Sequence, residues 1–152
     1  MPNKSIDLEH ASLGALTKRC YFAGRAVMEH ALRPHGIGVT QWYVLYQLAE
    51  VGPTMQRELV RLLQIERATL STIISSLARK GLVEQVQNAV DQRQKLLRLT
   101  TTGEKLWSKL PDLGFIHDLA FGGISATEIE IAVRVLRTAT ERLNQRLKEE
   151  RA

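Results

Sequence analysis

The stretch MQRELVRLLQIERATLSTIISSLARKGLVEQVQNAVDQRQKLLRLT, residues 55–100, decides how this chain folds. At its centre, the span from Glu66 to Lys80 carries Leu70, Ile73, Ile74, Leu77 and Ala78 at three- and four-residue spacing. That spacing predicts a helix with one buried face. The opposite face is Ala68, Ser71, Thr72, Ser75 and Arg79. Side chains that are small or hydrogen-bonding would let the helix backbone lie deep in a DNA major groove, with hydroxyls and a guanidinium reaching base edges and phosphates.

Working outward, Met55 to Leu63 reads as a shorter helix capped by Thr54, with Leu59, Leu62 and Leu63 facing inward. Gln64-Ile65-Glu66 is then the turn of a helix-turn-helix. Gly81 stands where a left-handed cap should end the second helix. Residues 82–87 and 95–99 read as two strands of a hairpin, with Asn88 to Gln94 at its tip. Arg93 on such a tip suits the narrow, electronegative minor groove, and Asp91 can orient its guanidinium; the bland alternative is a solvated turn with one surface ion pair.

Charge supports the same stretch. The chain has 152 residues and a formal net charge of +5. Residues 55–100 hold eight Lys/Arg against four acids, whereas 1–54 hold five against four and 101–152 hold eight against eight. Four of the five excess charges therefore sit here, as expected of a nucleic-acid face on a differently employed scaffold.

The flanks read as helices. Ile6 to Arg33 carries a loosely periodic apolar stripe that Pro34-His35-Gly36 stops, with more apolar surface than a small winged domain needs, so part of it should meet another chain. Thr40 is the expected cap of a helix containing Trp42, Val44, Leu45 and Leu48 that ends before Gly52-Pro53. Trp42 and Tyr43 read either as core residues at a helix junction or as the lining of a ligand pocket. Beyond the hairpin, Thr100 or Thr101 is the expected cap of a helix beginning near Thr102 and bearing Leu106, Trp107 and Leu110, with Thr101 and Glu104 as a capping box; the helix is broken near Pro111 and carried on to Gly122-Gly123. Ser125 with Glu128 suggests a second capping box. It opens a last helix striped by Ile129, Ala132, Val133, Leu136, Ala139, Leu143 and Leu147.

Residues 38–107 resemble the winged helix-turn-helix core of the MarR family of bacterial transcriptional regulators. The resemblance is carried by Val39-Thr40-Gln41-Trp42, Glu58-Leu59, Thr69-Leu70-Ser71, Leu77-Ala78-Arg79-Lys80-Gly81-Leu82-Val83, Asp91-Gln92-Arg93, and Leu99-Thr100 with Gly103. Gln85, Gln87 and Ala89-Val90 depart from the basic, charged or proline residues commoner in relatives, which points to fewer phosphate contacts from the wing.

The resemblance implies a mainly α fold with a small β-hairpin wing. Residues 1–37 would be an N-terminal dimerisation helix, 38–100 the winged helix-turn-helix, and 101–152 the C-terminal dimerisation helices. A symmetric homodimer would set two recognition helices about 34 Å apart on double-stranded DNA with a pseudo-palindromic operator. Arg67, Thr69, Ser71, Thr72 and Ser75 would read base edges, Arg57, Arg61, Arg79, Lys80 and Lys95 would meet the backbone, and Arg93, oriented by Asp91, would probe the minor groove. Through the connection at Thr100, a change in inter-subunit angle would move both helices off register. Family effectors are small aromatic or lipophilic compounds, for which Arg25, Trp42, Tyr43 and Trp107 are the candidate lining. Hydroperoxide-sensing members use a cysteine in the first helix, and Cys20-Tyr21-Phe22 is loosely similar; a small core residue is the plainer reading of Cys20.

Other classes are poorly supported. The sequence has no Ser/His/Asp set, no phosphate-cradling glycine loop and no Cys/His cluster at metal-ligand spacing, so neither an enzyme nor a cofactor is expected. A peroxidase could act only through Cys20. With no apolar run long enough for a bilayer and no signal-peptide pattern, the expected location is cytoplasmic, away from membrane. The remaining alternative is a winged helix serving as a protein-interaction module without specific DNA binding.

Overall fold

A computed structural model describes residues 12–87 and 95–152. The chain forms two compact units, Met1–Leu113 and Gly114–Ala152. In the first, α1 (Leu13–Leu32) is capped by Ser12, whose hydroxyl accepts from the Ala15 N–H at 3.2 Å. The expected start near Ile6 lies outside the described residues. A 3-10 turn at Arg33–His35 and Gly36, at φ 67°, end the helix as Pro34 dictates.

Next comes α2 (Val39–Tyr46), which widens into a π-helical turn at Gln47–Val51. Its cap is Gly38, not Thr40: the Gly38 carbonyl accepts from Trp42 N–H at 2.9 Å, and Gln41 Oε1 reaches back to Gly38 N–H at 3.1 Å. Thr40 lies inside the helix, and its hydroxyl meets Arg25 Nη2 at 3.5 Å. Thr54 does not cap the helix after it either. It is buried in a short strand, β1 (Thr54–Met55), with its hydroxyl donating to Gly52 O at 2.8 Å. The helix-turn-helix follows as α3 (Gln56–Leu63) and α4 (Arg67–Arg79).

The wing strands are β2 (Val83–Gln87) and β3 (Lys95–Leu99). The sheet has three antiparallel strands rather than the hairpin's two, ordered β1-β3-β2. Thr54 pairs with Leu97, and Val83 with Leu99. The central position of β3 explains why Leu97 is fully buried.

The core fills the space between α2, α3, α4 and this sheet. Val44, Leu45, Leu48, Leu59, Leu70, Ile74, Leu77 and Leu97 form it, with Trp42, Ile73, Leu106 and Trp107 packed at its edge. Several residues with a core reading face outward instead: Leu62 is 43% exposed and Tyr43 40%, and Ala78 and Cys20 are exposed. A helix of eight residues offers little more than one inward stripe, which Leu59 and Leu63 already occupy.

Helix α5 (Thr101–Lys109) completes the unit, capped by Thr100, whose hydroxyl accepts from Gly103 N–H at 3.0 Å. The capping box expected at Thr101 and Glu104 is absent because the helix starts one residue earlier. The second unit contains α6 (Phe115–Phe121) and α7 (Ala126–Arg151). Pro111 falls between α5 and α6, as expected. Ser125 and Glu128 form the capping box that opens α7. No side chain of α7 is buried, and Val133, Leu136, Leu143 and Leu147 are all more than 40% exposed.

Candidate nucleic-acid interface

The turn between α3 and α4 sets the angle of the candidate recognition helix. Gln64 adopts the left-handed conformation at φ 51°, the one non-glycine to do so among the described residues. Ile65 is half-buried beside the core, and Glu66 is extended, so α4 begins at Arg67. At the other end, Gly81 N–H donates to Ala78 O at 2.9 Å and Leu82 N–H to Leu77 O at 3.0 Å, a Schellman closure at φ 73°. Leu70, Ile74 and Leu77 are buried inward, which turns Arg67, Ala68, Thr69, Thr72, Ser75 and Arg79 to the exposed side. Arg57 and Lys95 are also exposed.

Ser71 is less free than the helical pattern implied. Half-buried, it accepts from Gln56 Nε2 at 3.0 Å, and Gln56 Oε1 accepts from Gln85 Nε2 at 3.3 Å. Thr72 donates to Ala68 O at 3.2 Å, which leaves its oxygen open as an acceptor. Arg61 is paired with Glu58 one turn away, its Nε donating to both carboxylate oxygens at 3.1 Å. This hydrogen bond, opposed by partial desolvation and helped by the charges of Arg61 and Arg57, holds the Glu58 carboxyl below its ordinary range; Arg61 is raised in turn. Asp91 and Arg93 lie outside the described residues.

Lys80 points away from the exposed face. Its Nζ donates to Gly36 O at 2.8 Å and to Gln41 Oε1 at 3.3 Å, while Gln41 Nε2 donates to Ser76 Oγ at 3.3 Å. Beneath these contacts is a cleft of about 610 Å³ lined by residues that include Arg25, Glu29, Arg33, Thr40, Ile73 and Lys80.

Of the four residues considered for an effector, three meet. Trp42 lies 5.2 Å from Tyr43 and 5.6 Å from Trp107 between ring centroids, and Tyr46 stacks on Trp42 at 5.2 Å. Trp107 Nε1 donates to Glu50 Oε1 at 3.1 Å, whereas the buried Trp42 Nε1 has no protein partner. Arg25 lines the separate cleft instead. Sequence reasoning passed over Tyr46, although its i,i+4 spacing from Trp42 was available as a signal. It also missed Gln41 and Gln56, whose polarity is unremarkable until the helices they bridge are placed. Cys20 is exposed on α1. Among the described residues no helix is long and apolar enough to cross a membrane, and no cluster of three or more metal-ligating side chains occurs.

A helix supported by two packed helices and followed by a small antiparallel wing is the winged helix-turn-helix arrangement. The model of the MarR family matches residues 35–94, from the turn before α2 to the wing.

Solved structures agree over most of the chain. A cysteine-to-serine variant of MarR from E. coli in complex with operator DNA superposes with a TM-score of 0.74 at 25% identity, covering 84% of this chain and 92% of that one. BpsR of Bordetella bronchiseptica, whose DNA binding is regulated by 6-hydroxynicotinic acid, gives 0.72 at 25% identity over 84% and 98%. A MarR-family regulator from Listeria monocytogenes complexed with 26mer DNA shares the fold at 0.77, with 22% identity over 88% and 90%.

Proposed function

We propose that the chain is a homodimeric transcriptional repressor that binds a pseudo-palindromic operator and is released by a small aromatic or lipophilic effector. The observation that carries this reading is the exposed face of α4: Arg67, Thr69, Thr72, Ser75 and Arg79 project together from a helix whose other side is locked into the core. Hydroxyls and guanidinium groups on that face match the donors and acceptors of base edges and phosphates. Arg57, Lys95 and the wing residue Arg93, oriented by Asp91, would add backbone and minor-groove contacts, with Ser71 donating its hydroxyl proton to a base.

The dimer is supported by the uncovered apolar side chains of α1 and α7, among them Leu13, Tyr21, Phe22, Leu143 and Leu147. Release by a ligand is supported by the aromatic group Trp42, Tyr43, Tyr46 and Trp107 and the orphaned Trp42 N–H. Nuclease footprinting on the DNA upstream of the chain's own gene tests the proposal. Two protected half-sites related by a dyad, about one helical turn apart, are expected. A single unpaired footprint, or uniform protection along the fragment, would contradict it.

Oxidation of Cys20 is a second route to release, favoured by its exposure where a core cysteine would be covered. DNA affinity unchanged by cumene hydroperoxide would remove that route.

A further inference from the structure

We propose that Gln41 is a positioning residue for the recognition helix, and that Lys80 straps that helix to the α1–α2 turn instead of contacting DNA phosphate. The inference rests on the DNA-binding reading above and assigns a distinct role to residues behind the reading face.

The polar side chains of α4 fall into two sets. Thr72 and Ser75 are exposed, whereas Ser76 is half-buried and faces α2. Lys80 follows Ser76 by four residues and therefore projects from the same side of the helix. One amide meets both: Gln41 Nε2 donates to Ser76 Oγ at 3.3 Å, and Gln41 Oε1 accepts from Lys80 Nζ at 3.3 Å. The same oxygen accepts from Gly38 N–H at 3.1 Å, which fixes the Gln41 side chain at the first turn of α2. Lys80 reaches one residue group further, to Gly36 O at 2.8 Å, where the chain leaves α1. The last turn of α4 is thus tied to two separate backbone points.

Apolar packing and polar contacts act together at this end. Leu70, Ile74 and Leu77 hold α4 onto the core, but Ala78, Arg79 and Lys80 after them are all exposed, so beyond Leu77 the helix meets α2 through polar contacts. Hydrogen bonds have directional geometry that apolar contacts lack. The Gln41 bridge adds a directional constraint on the α2 side, and Ser75 and Arg79 on the far side of the same turn inherit it. An ammonium committed to a carbonyl and an amide oxygen also has its preferred direction set away from the reading face.

The test uses the full chain, an operator fragment and a scrambled fragment of equal length, titrated over a series of salt concentrations. Neutralising a lysine that contacts phosphate lowers the salt slope by about one and weakens both fragments alike. A strap behaves differently: Lys80→Gln and Gln41→Ala should each cut the preference for operator about tenfold with the slope retained, and the double variant should be no worse than the weaker single. Lys80→Arg should keep the preference. A slope lowered by about one in Lys80→Gln, or full preference in Gln41→Ala, would overturn the proposal.

Amide hydrogen exchange of the free protein reads the strap without DNA. Faster exchange across residues 76–82 in Gln41→Ala, with α3 unchanged, is expected; unchanged exchange at 76–82 would overturn the strap whatever the DNA result. Wild-type protein that shows no operator preference, together with the altered exchange, would count against the DNA-binding reading while supporting the strap.

Discussion

At Gly103 a Cβ would fall 2.1 Å from the carbonyl oxygen of Leu82, so the first turn of α5 can approach the start of the wing only because residue 103 has no side chain. Thr100 completes the joint. Its N–H donates to Leu82 O at 3.1 Å, and its hydroxyl donates to Gly81 O at 2.5 Å while accepting from Gly103 N–H. The end of α4, the base of the wing and the start of α5 therefore move as one piece. Gly103→Ala should destabilise the fold by about 3 kcal/mol in a denaturant titration, because the obstacle is backbone and cannot rotate away. A change under about 0.5 kcal/mol would show that the joint is loose.

Gln64 carries the left-handed turn of the helix-turn-helix without the freedom of glycine. Gln64→Gly should raise stability by about 1 kcal/mol, since the conformation disfavours any L side chain, and Gln64→Val should lower it by at least as much. Thermal melts of the three proteins check the order.

The Glu58–Arg61 pair gives stability a defined pH dependence. The carboxyl titrates below its ordinary value of 4.5, so its contribution is present above that value and is lost as pH falls through the depressed one. Glu58→Gln should therefore be less stable than wild type near neutral pH, with the two curves converging in acid. Arg61 is exposed and Glu58 partly so, and the difference should shrink with added salt.

The same substitution should act on DNA in the opposite sense. Releasing Arg61 and removing one negative charge beside the reading helix should strengthen binding to operator and scrambled DNA alike and steepen the salt dependence. Binding that falls in step with stability would mean that the pair orients α3 for DNA.

Much of this architecture was legible because it is local. The 3.6-residue spacing of Leu70, Ile74 and Leu77, the glycine at 81 and the Ser125–Glu128 capping box each declare themselves within a few residues. The missed features depend on distant partners. Thr54 is a strand residue only because Leu97 lies opposite it, and a two-residue strand has no periodicity to read. Thr40 is a plausible cap by type, but Gln41 gives that role to Gly38 by folding back three residues.

Leu62 and Ala78 fit an apolar spacing and still face outward, because the inward stripe was already filled. The candidate site divides in the same way. The outward set on α4 followed from the pattern alone, whereas the partners of Lys80 and Ser71, and the separation of Arg25 from the aromatic group, required the packing of α1, α2 and α3 around α4.

The most direct test of the account is an equilibrium titration of wild type, Ser75→Ala and Arg67→Ala against the upstream fragment and a scrambled control at matched salt. Tight, salt-sensitive binding to the upstream fragment is predicted. Each substitution should cost about 1–3 kcal/mol there and little on the control, because base contacts distinguish sequences and backbone contacts do not. Equal affinity of wild type for both fragments, untouched by either substitution, would contradict the assignment of α4 as a sequence-reading helix.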